Sequence, residues 1–112
     1  MKLHETRHDG ISTVTVAEPR IDAAAAIRFK DAMRGITTGG PDHVVLDLSQ
    51  VLFVDSSGLG AIVAAMKQMG PGRRLDLAGL TPDVAKVFRL TRMDSVFVIH
   101  DGAVRAGARD AG

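Results

Sequence analysis

The apolar residues of this chain change their period along its length, and the changes mark out the elements. Ile11 to Ala17 alternates, with Ile11, Thr13 and Thr15 set against Val14 and Val16, which is the period of a half-buried strand. Lys2 to His8 is more mixed. The Asp9-Gly10 pair between these runs is a hairpin signal. Next, Ala26, Phe29, Met33 and Ile36 recur at helical spacing and predict a helix from about Asp22 to Gly35. Asp22 is its N-cap, because a carboxylate there accepts free first-turn amides. Gly35 is a plausible stop. Thr37 to Asp42, with Gly39-Gly40-Pro41, reads as a loop.

The β-branched run His43 to Leu48 reads as a buried strand, and Val51 to Val54 as a second short extended piece. A helix follows from Ser57 to Gly70, with Leu59, Ile62, Val63 and Met66 as its apolar stripe. Arg74 to Ala78 is a short strand. Thr81-Pro82-Asp83 is a helix start, with Thr at the cap, Pro in the first turn and an acid near the positive helix end. Val84, Val87, Phe88 and Thr91 make that helix's inward face. Val96 to Ile99 is the last strand. The tail Asp101 to Gly112 predicts a short helix around Ala103 to Ala108, or fraying. The order ββαβαβαβ implies an α/β fold: one domain over residues 1–112, with a mixed sheet and helices packed on it.

Composition narrows the function classes. The chain has 112 residues, 14 Lys plus Arg, 13 Asp plus Glu, and no Cys, Trp or Tyr. Without cysteine there is no thiol catalysis, disulfide framework or thiolate metal site. A net charge of +1 and the lack of stacking aromatics argue against a nucleic-acid partner. No apolar run is long enough to span a membrane. The polar stretch Met1 to Gly10 does not read as a signal peptide, so a cytoplasmic protein is expected. Residues 1–60 carry six basic and eight acidic side chains, a sum of −2, and the remainder sum to +3. Lys86, Arg89 and Arg92 on the third helix read as a solvated face, with partner steering as the alternative.

The chemistry concentrates where an apolar strand runs into Asp55-Ser56-Ser57-Gly58-Leu59-Gly60. This is the carboxyl end of a strand, the edge at which open α/β sheets place ligands. Ser57 is the natural N-cap, beside free amides that accommodate a phosphate. Gly58 and Gly60 each weaken a helix by about 1 kcal/mol, so a tight junction or a close-approaching molecule must require them. The alternative is that Ser57 only caps and the glycines only ease packing. A P-loop fails for want of Gly-Lys-Ser/Thr. A nucleophile elbow fails because its preceding glycine is absent. The dinucleotide fingerprint is incomplete, although Asp76 stands where a ribose-binding acid could. His4, His8, His43 and His100 fall near strand ends and read as solvated; no spacing ties them to Ser57. No metal, cofactor or catalytic residue is implied.

The run Val44 to Gly60 resembles the signature of STAS domains, most nearly that of bacterial anti-sigma factor antagonists. Arg20-Ile21-Asp22-Ala23 and Leu80 to Thr91 extend the likeness to about residues 3–100. Pro19-Arg20 departs from the turn many members have there. The resemblance implies a non-enzymatic binding module switched by phosphorylation. Ser57 aligns with the acceptor, with Ser56 as second choice and expected to turn inward or bond locally. Asp22 would lie beside the acceptor, and Asp55, Ser56, Gly58, Leu59 and Gly60 would share the partner surface. The implied partners are an anti-sigma factor with serine kinase activity, which the unphosphorylated form binds to free a sigma factor, and a PP2C-type phosphatase that resets the switch. A STAS module of another signalling or transport complex, or a nucleotide-binding protein, are the alternatives.

Overall fold

A computed structural model describes residues 1–101 of the chain; the helix expected around Ala103 to Ala108 lies outside them. The described chain runs β1 (Leu3–His8), β2 (Ile11–Val16), β3 (Arg20–Ile21), α1 (Ala23–Thr37), β4 (His43–Asp47), β5 (Phe53–Val54), α2 (Ser56–Met69), β6 (Arg74–Ala78), α3 (Pro82–Leu90) and β7 (Ile99–His100), with one 3₁₀ turn at Met93–Ser95 before β7.

The main sheet has the order β1-β2-β4-β6-β7. Only β1 and β2 are antiparallel, and the other neighbours are parallel. Asp9 and Gly10 both take positive φ, 53° and 77°, the twist that a two-residue hairpin needs. The registers Ser12↔Val44↔Leu75 and Val14↔Leu46↔Leu77 place Val14, Val44, Leu46, Leu75 and Leu77 on one face with the buried Ser12. Phe29 and Met33 of α1 and Ala61, Ile62 and Ala65 of α2 close over that face in one core cluster. The opposite face carries His43, Val45 and Asp47 beside Arg74, Asp76 and Ala78.

Several boundaries differ from the sequence expectation, each for a local reason. A two-residue strand, β3, pairs in parallel with β5; two residues carry no readable period, so the pattern could not announce it. Helix α2 buries Gly58, Ala61, Ile62, Ala65 and Met69, so Ile62 of the expected stripe faces inward with the small residues and Met69, while Leu59, Val63 and Met66 are only partly buried. Helix α3 ends at Leu90. Thr91 is therefore its exposed C-cap, not part of the inward face, and its hydroxyl donates to the Val87 carbonyl at 2.7 Å. Thr81 does not cap α3 with its side chain; its Oγ1 donates to Val51 O at 2.7 Å and ties the helix to the β5 segment. The last strand begins at Ile99 instead of Val96, because Phe97 turns into the core, edge-on to Phe88 with ring centroids 6.1 Å apart.

Candidate functional site

The site is built by the β3–β5 pair. Arg20 lies opposite Phe53 and Ile21 opposite Val54, so both chains leave the pair at the same level and enter α1 and α2 side by side. Asp22 is the N-cap of α1, as expected, and its Oδ1 accepts from the Ala25 amide at 3.2 Å.

The start of α2 corrects the sequence reading. Asp55, not Ser57, is the N-cap. Its Oδ1 accepts from Gly58 N at 2.9 Å, and its Oδ2 accepts from Ala23 N at 3.2 Å. A carboxylate has two oxygens, and this one satisfies an amide on each helix. The helix then begins at Ser56, which leaves the Ser57 hydroxyl in its first turn without a capping duty. Ser56 does not turn inward. Both serines are exposed.

The two glycines separate. A Cβ on Gly58 would lie 1.8 Å from the carbonyl oxygen of Ile21, whereas one on Gly60 would meet nothing within 4 Å. Gly58 is thus required by the strand–helix junction. Gly60 is exposed, and no neighbouring atom demands glycine there.

Charge at the start of α1 is mixed. Arg20 Nε sits 3.3 Å from Asp22 Oδ2, and its guanidinium lies over the Phe53 ring at 4.3 Å from the centroid. Desolvation works against ionising Asp22, but hydrogen bonds from Arg20 and the Ala25 amide outweigh it and hold the carboxyl below its ordinary value. Next to this surface, Leu52, Phe53 and Leu90 expose 62%, 41% and 71% of their area, and the cleft between β5 and α3 joins them. Exposed large apolar side chains in one place mark interaction surfaces. No sequence period singles out these three, because their exposure depends on where β5 meets α3.

The histidines fall into two groups. His4 and His8 are exposed, but His43 and His100 are not merely solvated. Their Nε2 atoms lie 2.9 and 3.0 Å from Oδ2 of Asp76, which Arg74 also reaches at 2.6 Å. The Asp76 side chain is only 2% exposed. Burial opposes its ionisation, yet the hydrogen bonds from Arg74, His100 and His43 bring its pKa from 3.8 down to about 2. This cluster lies on the face of the sheet away from α1 and α2 and ties β4, β6 and β7 together. Asp76 is accordingly a structural ion-pair partner here. Among the described residues no group of three or more acidic, His or Cys side chains is placed to hold a metal ion, and no helix is long and apolar enough to cross a membrane.

The STAS domain model matches residues 3–106, and the chain belongs to the STAS domain family. It is 25% identical over 109 residues to the anti-sigma-F factor antagonist RsfB of Mycobacterium tuberculosis, covering 92% of this chain and 88% of that one. It is 28% identical over 102 residues to an anti-sigma-B factor antagonist of Listeria monocytogenes, covering 90% and 88%. The crystal structure of an anti-sigma factor antagonist from Mycobacterium paratuberculosis superimposes with a TM-score of 0.79 at 27% identity, over 88% of this chain and 84% of that one.

Proposed function

We propose that this protein is an anti-sigma factor antagonist, a cytoplasmic binding module switched by phosphorylation of Ser57. The observation that carries the reading is the exposed Ser57 in the first turn of α2, relieved of capping by Asp55 and set beside the N-terminus of α1. Three relatives that bear the antagonist name, each matched over most of its length, support the role.

In the unmodified state the partner, an anti-sigma factor with serine kinase activity, docks over Asp22, Asp55, Ser56, Ser57, Leu59 and Gly60, while Gly58 keeps the backbone of that surface in place. Leu52, Phe53 and Leu90 supply apolar contact at its margin. The kinase then moves the γ-phosphoryl group of ATP to Ser57: the bond to ADP breaks, the bond to Oγ forms, and the hydroxyl proton passes to a base on the kinase. Phosphoserine carries about −1.5 to −2 charges at neutral pH. The positive end of α2 tolerates that charge, so the antagonist keeps its fold. The bound partner instead meets added bulk and added negative charge next to Asp22 and Asp55, and it leaves. A PP2C-type phosphatase restores the hydroxyl.

The test is incubation with each candidate kinase and ATP, followed by mass spectrometry to locate the phosphate, with calorimetry on the variants. Modification at Ser57, a Ser57→Ala variant that binds but takes no phosphate, and a Ser57→Asp variant that binds at least about tenfold more weakly are expected. Unchanged affinity of Ser57→Asp for a kinase that binds the parent would sink the switch.

A further inference from the structure

We propose that Arg20 is the residue through which this surface reads the phosphate: it is held against Asp22 and Phe53 before modification and is drawn onto phosphoserine 57 afterwards. The inference rests on Ser57 as the acceptor.

Three observations carry it. First, the guanidinium sits at the N-cap of α1. Its Nε bonds the carboxylate of Asp22, two residues further along, and the Asp55 bond to Ala23 brings that level against the first turn of α2. Second, the side chain is restrained without being buried. It stacks on Phe53 at 4.3 Å and remains 59% exposed, so it is ordered yet free to exchange partners. Third, its present hold on Asp22 is a single long contact of 3.3 Å. A phosphate dianion offers more charge and three acceptor oxygens, and arginine meets phosphate through two parallel hydrogen bonds. Exchange of a weak single contact for a bidentate one favours the phosphate.

The exchange also changes what a partner meets. Before modification, Asp22 is partly neutralised by Arg20. Afterwards Asp22 stands unpaired, while Arg20 is engaged with the phosphate and no longer offered to the partner. One modification thus adds a charge and withdraws a cation from the same surface, which sharpens the difference between the two states.

The test installs phosphoserine at position 57 during translation, so that no kinase is needed, and follows the phosphate by phosphorus NMR as pH is varied. Free phosphoserine takes up its proton near pH 6. Arg20 should lower the proton affinity of the phosphate, so Arg20→Ala and Arg20→Gln should each raise it by about threefold over the parent. The Nε–H resonance of Arg20 should also move on modification of the parent. Both variants replace an exposed side chain and keep the core, which thermal melting of the unmodified forms checks. Identical phosphate titrations in the parent and both variants would overturn the role of Arg20. A failure of Ser57 to accept phosphate from any kinase is a separate result, read by mass spectrometry, and bears on the acceptor assignment alone.

Discussion

Gly58 and Gly60 sit two positions apart in one helix and answer to different forces. At Gly58 the Ile21 carbonyl oxygen occupies the space a side chain needs. Gly58→Ala must push the β3–β5 pair away from α2 and should cost about 3 kcal/mol, seen as a lowered melting temperature. At Gly60 the space is open. Gly60→Ala should therefore gain about 0.5–1 kcal/mol in urea unfolding, from helix propensity alone. If the partner packs against this turn, the same variant binds more weakly in calorimetry. A stabilised variant with unchanged binding would remove Gly60 from the partner surface. The two glycines were indistinguishable in sequence, where each appears as a helix weakened near its start. What separates them is the approach of Ile21, some forty residues earlier in the chain, which no local pattern contains.

At the scale of elements, one carboxylate joins two helices. Asp55 caps α2 through Gly58 and reaches the first amide of α1 through Ala23. Asp55→Ala leaves two amides to water and loosens the junction that presents Ser57. The expected cost is about 1–2 kcal/mol in chemical denaturation, with little change in the denaturant slope, because the core is untouched. Asp55→Asn keeps an acceptor and should lose less. The sequence reading gave the cap to Ser57, the residue nearer to the apolar stripe, and gave Asp55 no capping role. The choice fell to Asp55 because only a carboxylate at that place reaches both helices at once. Helix α3 shows a similar displacement. Thr81 has the right type and position for a cap, but its hydroxyl goes to Val51 O instead. Donation to this distant carbonyl fixes the hydroxyl, and its oxygen accepts from none of the first-turn amides it would otherwise cap.

Across the whole molecule, the sheet has two faces with different chemistry. One is apolar and covered by α1 and α2, and the other is pinned by Asp76 with Arg74, His43 and His100. The Asp76 pKa falls from 3.8 to about 2 on folding, so the folded state binds its proton less readily than the unfolded chain. Its contribution is full above 3.8 and is lost as pH falls through about 2, a loss of about 2 kcal/mol. Urea unfolding of the parent and of Asp76→Asn across that window isolates this group from the other carboxylates. The parent should lose stability more steeply than the variant on acidification. Parallel curves would show that Asp76 is no better paired in the fold than in the unfolded chain.

The sequence by itself determined the order and kind of the larger elements, because their periods follow from which side of a helix or strand must be buried. It also located the Asp55–Gly60 turn, where the apolar run breaks off into small polar residues. Tertiary structure alone decided the two-residue β3, the single carboxylate shared by two helix starts, the freeing of the Ser57 hydroxyl, and the gathering of His43 and His100 on Asp76. Each of these depends on groups that are distant along the chain and a few ångströms apart in space. Periodicity records which face of an element is buried, but not which atom of another element meets it.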